Sequence, residues 1–282
     1  MRPSQLDVGG ARRITLDAGG VEVAALQTGE PGAAPVLLVA GYTGSKEDFA
    51  PVLEPLAAAG LLVTAIDLPG QFESAGLPAP ADYTPDRLAG VVVAVAAGFG
   101  RPVRLLGHSF GGLVARAAVI ARPDLVASLV LLSSGPGALH GARRQLMGAL
   151  EPVLAAHGLP GVYAALEAAA QADPGYVAAP APLAEFLQRR FLAGSPVMLQ
   201  GMSDALRAEP DRVAELAATG VPVLVAHGAD DDAWPPAQQA EMAARLGAPR
   251  VVVPNAAHSA AVENPPALVD ALLTYWAGSA QS

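Results

Sequence analysis

The hexapeptide Gly107-His108-Ser109-Phe110-Gly111-Gly112 carries the clearest chemical signal in this chain. It matches Gly-x-Ser-x-Gly, follows the apolar run Val103–Leu106 and opens the helical stretch Leu113–Arg122. A serine on such a strand-to-helix turn sits in strained backbone with its hydroxyl exposed above the sheet. The positions flanking it must be glycine, because side chains there would collide with the turn. The amino end of the following helix favours negative charge. A serine hydroxyl is a weak nucleophile until a base removes its proton. Of the histidines His108, His140, His157, His227 and His258, the last is best situated as that base. It lies in the small, polar loop Asn255-Ala256-Ala257-His258-Ser259, just past Arg250–Val253 and ahead of a helix starting near Pro265. Loops beyond strand carboxyl ends are where α/β sheets build their sites. His108 is expected to point away from Ser109. His140 and His157 are expected at the surface, and His227 is near enough to the acidic loop to shape the site.

An imidazole base needs a carboxylate to fix its tautomer and stabilise its charged form. The run Val221–Ala226 is followed by His227-Gly228-Ala229-Asp230-Asp231-Asp232-Ala233-Trp234-Pro235, with more carboxylates than a turn requires. One or two of these aspartates read as turn formers or helix caps. The order Ser, Asp, His is the one that accompanies a serine on this kind of turn. Acyl transfer at Ser109 also needs donors for an oxyanion. The Phe110 N–H is one by position. The loop Gly41-Tyr42-Thr43-Gly44-Ser45 is the expected source of the second, through Tyr42.

The elements that must hold these groups follow from hydrophobic pattern. From Arg13 to Thr28 the chain alternates apolar and polar around Ala18-Gly19-Gly20, which predicts a β-hairpin. Short apolar runs then alternate with helical stretches: Val36–Ala40, Leu61–Ile66, Val103–Leu106, Leu125–Leu132, Val221–Ala226 and Arg250–Val253. Such runs suit strands covered on both faces, so the class is α/β with a mostly parallel sheet. Lys46–Leu56 reads as a helix capped by Ser45, and Pro85 after Thr84 opens another. Between about Gly135 and Arg207 no strand is evident. The helix-like pieces Ala142–His157, Val162–Ala172, Leu183–Leu192 and Val197–Leu206 stand there instead, separated by Gly and Pro. This predicts a helical insertion at 135–207 in a core formed by 1–134 and 208–282.

Composition bounds the function classes. The chain has 282 residues, 52% of them hydrophobic, and a formal net charge of −9, which argues against general affinity for nucleic acid or anionic membranes. It has no cysteine, which excludes disulfides, thiolate nucleophiles and Cys-ligated zinc or iron–sulfur sites. The amino-terminal stretch lacks a signal-peptide pattern, and no apolar run approaches the ~18 residues of a membrane helix. The expectation is a cytoplasmic protein with a small-molecule substrate and neither nucleic-acid nor membrane partners. Oligomeric state is not legible.

At this point the chain resembles the α/β-hydrolase superfamily over nearly its whole length. More narrowly, it resembles capped, single-chain esterases and C–C hydrolases. Gly41–Ser45 resembles the H-G-x-x-G-S oxyanion loop. Asp67-Leu68-Pro69-Gly70-Gln71-Phe72-Glu73-Ser74 resembles D-x-x-G-x-G-x-S. Gly228-Ala229-Asp230-Asp231 with Pro235 resembles G-x-x-D-x-x-x-P, a comparison that selects Asp231 as the acid. His258 with Glu263, Asn264 and Pro265 resembles the histidine loop. The resemblance implies an eight-stranded sheet with a helical cap after the sixth strand, no metal or organic cofactor, and hydrolysis of an ester or related acyl bond of a small, largely apolar substrate. C–C bond hydrolysis or lactone cleavage on the same triad is the alternative, with haloperoxidase or perhydrolase side activity compatible. A ligand receptor on this fold is the alternative of another class. Tyr163, Phe186, Phe191, Met147, Met198, Met202 and Trp234 are the expected pocket lining. Two positions depart from the family. Ala40 stands where a histidine is usual, which would loosen the anchoring of the oxyanion loop, and Phe72 stands where a glycine is usual. Serine at 109 argues against the dehalogenase and epoxide hydrolase branches, which use aspartate there.

Overall fold

The computed structural model describes residues 4–172 and 175–279. The outermost three residues at each end of the expected core, and residues 173–174 of the expected insertion, lie outside it. The predicted hairpin is present as β1 (Arg12–Asp17) and β2 (Glu22–Thr28). Gly19 and Gly20 supply the positive φ that its turn requires. The apolar runs form β3 (Ala34–Val39), β4 (Leu61–Ile66), β5 (Val103–His108), β6 (Val126–Leu132), β7 (Val223–Gly228) and β8 (Arg250–Val253). One eight-stranded sheet results, in the order β1-β2-β4-β3-β5-β6-β7-β8. β1 and β2 are antiparallel to their neighbours, and β3 through β8 run parallel.

Successive residues of a buried strand face opposite sides, and the core divides accordingly. Leu37, Val39 and Leu105 pack with α2 (Pro85–Gly98) and α3 (Phe110–Ala121) on one face. Val36, Leu38 and Leu106 pack with α1 (Ala50–Ala58) on the other. The Thr84 hydroxyl caps α2 by accepting from Arg87 N–H, as its Thr-Pro start suggests. Ser45 behaves differently. Its hydroxyl donates to Glu47, its own N–H is taken by Asp48, and one 3₁₀ turn over Lys46–Phe49 precedes α1.

The helical insertion follows β6. It comprises α4 (Gly141–Gln171), α5 (Ala181–Ala193) and α6 (Pro196–Ala208). Two helices expected before and after His157 run on as α4 across a kink at Gly158, whose φ of 61° no helical residue adopts. Window hydropathy makes α4 long and apolar enough to cross a membrane, by length and composition. No unbroken apolar run gives it that character; leucine, valine and alanine scattered along it do, and the helix also carries Arg143, Arg144, Glu151 and Glu167. The chain returns to the sheet through α7 (Val213–Ala218) and β7, and then forms α8 (Pro236–Leu246), β8, α9 (Ala260–Glu263) and α10 (Pro265–Ser279). Buried Leu216 of α7 and Met242 of α8 join the α2/α3 face, and Leu268, Leu272 and Trp276 of α10 join the α1 face.

Chain order reverses at β3. The chain goes from β3 outward to β4, then crosses back to put β5 on the other side of β3. The crevice at the carboxyl ends of β3 and β5 is therefore bordered by two separate loops, the arrangement in which α/β sheets bind ligands.

Candidate active site

Ser109 is the hinge between β5 and α3, with φ 56° and ψ −120°, a region that L side chains rarely occupy. Non-glycine strain of this kind costs on the order of 1–3 kcal/mol and persists only where the surroundings impose it. They do so here. A Cβ on Gly107 would strike the Gly111 carbonyl, and one on Gly111 would strike the carbonyls of Val39 and Ala40. The Ser109 N–H donates to Leu132 O at 2.9 Å, which fastens the turn to β6.

The residues that the sequence singled out converge here. His258 Nε2 lies 2.9 Å from Ser109 Oγ, and His258 Nδ1 lies 2.9 Å from Asp231 Oδ1. The carboxylate cannot donate, so Nδ1 carries the proton shared with Asp231 and Nε2 is free to accept from the serine. Asp231 also accepts from Ala233 N–H at 3.0 Å and from Gln239 Nε2 at 2.9 Å. Burial alone would raise its pKa. The bond and charge of His258, with the Ala233 and Gln239 donors, outweigh burial and hold it below the ordinary aspartate value. Asp230 and Asp232 are exposed. Asp232 pairs with Arg143 of α4 at 2.6 Å, whereas the Asp230 N–H donates to Ala256 O.

The other histidines divide as their surroundings dictate. His140 and His157 are exposed. His227 is fully buried in β7, where its ring nitrogens meet Gly228 O at 2.7 Å and Arg250 Nη1 at 3.1 Å. His108 has no bond to Ser109, but its Nε2 is 2.8 Å from the His258 carbonyl. A carbonyl only accepts, so His108 Nε2 carries a hydrogen. Burial, followed by the nearby His258, lowers its pKa to about 4.

The loop after β3 lies against Ser109. A Cβ on Gly41 would come within 3.0 Å of Ser109 Cβ. Thr43 takes a positive φ of 61°, and Gly44 N–H closes the turn on Gly41 O at 3.0 Å. The amides of Tyr42 and Phe110 make no hydrogen bond to a protein group among the described residues; the latter opens α3, where a helix leaves its N–H groups free.

Ser109 and His258 open into a cleft of about 480 Å³. Its apolar lining includes Tyr42, Leu139, Met147, Leu187, Leu206 and Val262, and its charged lining includes Arg143, Arg190, Asp48, Asp232 and Glu263. Of the expected pocket residues, Met147 alone borders this cleft. Trp234 is fully buried, donates to Gly137 O at 3.2 Å and packs with its ring centroid 6.4 Å from that of His258. Met198 and Met202 are on the face of α6 that packs onto the core, and Met198 sits over Gly70. Phe186 is buried edge-on against Phe72, and Phe191 packs beside Tyr163. Apolar residues at helical spacing on α4, α5 and α6 therefore mostly hold the insertion together and onto the core. Reading them as lining ignored which face of each helix meets the sheet domain. Among the described residues no group of three or more His, Asp or Glu is arranged to hold a metal ion.

A model of the alpha/beta hydrolase family matches residues 36–271. The chain belongs to the alpha/beta hydrolase family. Solved structures similar to this hydrolase include a carboxylesterase of the thaumarchaeon Nitrososphaera gargenis, at 19% identity over 95% of this chain and 99% of that one, with TM-score 0.81. A thermophilic esterase from Thermogutta terrifontis, described with malate bound, has 24% identity over 96% and 99%, with TM-score 0.75. The enol-lactonase of Burkholderia xenovorans LB400 has 20% identity over 94% and 100%, with TM-score 0.78. At such identities the likeness establishes the shared fold.

Sequence reasoning missed several residues around this hydrolase's site. Gln239 orients Asp231, and Gln71 reaches the Gly41 carbonyl at 2.6 Å. Arg190 of α5 pairs with Asp48 at 2.5 Å beside the Gly41–Ser45 loop. None of these carried a signal in a single sequence, since a glutamine or arginine on a helix or loop is ordinarily a solvated residue.

Proposed function

We propose that this chain is a serine hydrolase that cleaves a carboxylic ester or related acyl bond of a small substrate. The observation that carries the reading is the unbroken Ser109–His258–Asp231 chain, with both links at 2.9 Å. Ser109 Oγ attacks the acyl carbon while its proton passes to His258 Nε2, and Asp231 stabilises the imidazolium. The carbonyl oxygen becomes an oxyanion held by the amides of Tyr42 and Phe110. Collapse expels the alcohol, which takes the proton from His258 and leaves an acyl-Ser109. Water, deprotonated by His258, then releases the acid and restores the serine. Residues 135–207 act as the cap over a core formed by 1–134 and 208–282. The apolar lining of the cleft suits an apolar acyl or alcohol portion, and its charged pairs suit a polar end.

A fluorophosphonate probe tests this directly. The wild type is expected to be labelled at Ser109, with labelling lost in Ser109→Ala and His258→Ala. Asp231→Asn should lower kcat by about 10⁴-fold on the best substrate, because the histidine tautomer is then wrong. A screen of p-nitrophenyl esters of increasing chain length, lactones, thioesters and vinylogous diketones identifies the substrate class. A wild type that stays unlabelled at high probe concentration overturns the proposal in favour of a ligand receptor. Turnover of diketones alone would move it to the C–C hydrolases.

A further inference from the structure

The second oxyanion donor depends on a peptide plane that the loop after β3 does not fix unaided. Ala40 offers no polar side chain to hold it. Gln71, from the loop after β4, reaches across instead. It is 1% exposed and makes two bonds of unambiguous polarity. Its Oε1 accepts from Leu68 N–H at 2.8 Å, so its Nε2 is the group that donates to Gly41 O at 2.6 Å. The loop that carries it is itself fixed, since Asp67 binds Lys46 N and Nζ at 2.7 and 2.8 Å, and Gln71 N–H donates to Leu68 O at 2.9 Å.

We infer that Gln71 is a positioning residue for the oxyanion hole: by holding the Gly41 carbonyl, it aims the Tyr42 N–H at the space above Ser109. The step follows from peptide geometry. A trans peptide is planar, with its N–H antiparallel to its C=O. Any group that holds the Gly41 carbonyl therefore sets the direction of the Tyr42 N–H. Glycine at 41 has no side chain to resist rotation of that plane, and Thr43 beyond it is already in the positive-φ region. The Gly44 amide also binds the Gly41 carbonyl, but it belongs to the same turn and would move with it. Gln71 is the contact that ties the plane to a different strand. Its burial matters too, because no water competes for either bond.

The inference rests on the serine-hydrolase proposal for its kinetic consequences, though not for its structural one. Two variants test it. Gln71→Leu keeps the volume and removes both bonds. Gln71→Glu keeps the shape but, as a carboxylate, confronts the Gly41 carbonyl with an acceptor. Once protonated, the same side chain accepts from Leu68 N–H and donates to Gly41 O, restoring the wild-type pattern. Arg190, itself paired with Asp48, borders the same small cavity, and Lys46, Glu47, Asp67 and Glu73 form the charged cluster behind this loop. Those are the groups that set where the new carboxyl titrates.

On p-nitrophenyl esters, Gln71→Leu should lower kcat by about 10²-fold, the scale of losing one oxyanion donor, with KM within about threefold. Gln71→Glu should fall equally far at high pH, and its deficit relative to wild type should shrink as pH falls. A merely structural role would not give that pH-dependent rescue. Crystal structures of both variants supply a readout that needs no turnover: the Gly41–Tyr42 peptide should rotate in Gln71→Leu and in Gln71→Glu at high pH. Variants whose peptide stays as in the wild type, or whose kcat matches an active wild type at every pH, overturn the inference. If the wild type hydrolyses nothing and takes no probe, the hydrolase proposal fails, and the orientation of that peptide still decides the role of Gln71.

Discussion

The departures from the family pattern find their explanation one residue at a time. Phe72 has a φ of 31°, the conformation for which a glycine is the usual choice. Its ring is edge-on to Phe186 of α5, with centroids 5.8 Å apart, and 4.9 Å from Lys46 Nζ, so a strained backbone is exchanged for a contact with the insertion. Phe72→Gly and Phe72→Ala both lose that ring, but alanine keeps the backbone cost. Urea unfolding should find the alanine variant less stable than the glycine variant by about 1 kcal/mol; equal stabilities would mean that Phe72 is unstrained. His108 gives a prediction in pH. Its ordinary value is 6.5, and burial lowers it to about 4 in the folded protein. Between those values the unfolded chain binds the extra proton, so this contribution to stability is complete above about pH 6.5 and is lost as pH falls towards 4. At pH 4.5 the loss should be roughly 2–3 kcal/mol relative to pH 7. His108→Gln replaces the ring with an amide that does not titrate. Unfolding curves at the two pH values should therefore diverge less for the variant than for the wild type.

Among elements, the decisive relation is between the insertion and the loops at the carboxyl edge of the sheet. Arg190 of α5 binds Asp48, in the 3₁₀ turn immediately after Gly41–Ser45, and Arg143 of α4 binds Asp232, next to Asp231. Each ion pair joins a helix of the insertion to a segment bordering the cleft. The Arg190–Asp48 pair is mostly shielded from solvent, whereas Arg143 and Asp232 are largely exposed, so salt should weaken the second pair more. A double-mutant cycle on Arg190→Ala and Asp48→Asn should return a coupling of about 1 kcal/mol in stability. Asp48→Ala should be more harmful than Asp48→Asn, because Asp48 further accepts from Ser45 N–H, a bond that the asparagine carbonyl can keep. A coupling near zero would show that the two side chains merely lie together.

For the whole molecule, the question is how a helical insertion stays seated on a sheet that it does not extend. Its two ends are paired with each other: Ala138 N–H donates to Glu209 O, Leu139 N–H to Leu206 O, and Arg212 N–H to Pro136 O. Arg116 of α3 lies beneath them, 1% exposed, and binds the Pro136 carbonyl and the Glu209 carboxylate. The helix that opens at Ser109 thus also anchors both stems of the insertion. A buried pair broken on one side leaves an uncompensated charge, so Arg116→Ala should cost about 3–5 kcal/mol, read as a fall in Cm or Tm. Arg116→Met combined with Glu209→Gln should recover part of that loss. If the double variant is no better than Arg116→Ala, the pair is needed for more than charge balance.

The local and periodic features of this protein were legible in the sequence. Apolar runs of strand length, Thr-Pro and Gly-Gly punctuation and the Gly-x-Ser-x-Gly turn depend on residues near one another in the chain. They therefore predicted the sheet, the insertion, and Ser109, His258 and an acidic loop as the groups that meet, whereas the resemblance to the family singled out Asp231 among three adjacent aspartates. Three features were not local. Strand order, which brings the loops after β3 and β5 together, depends on which strand pairs with which. The bonds of Gln71, Gln239 and Arg190 cross between separate loops and helices, where residue type alone gives no direction. The cleft lining depends on which helix face meets the core, and for α6 that face carries Met198 and Met202 away from the cleft. Sequence determined which residues could do chemistry at Ser109; tertiary packing decided what holds them, because contacts such as Gln71–Gly41 and Arg190–Asp48 join segments distant in the chain.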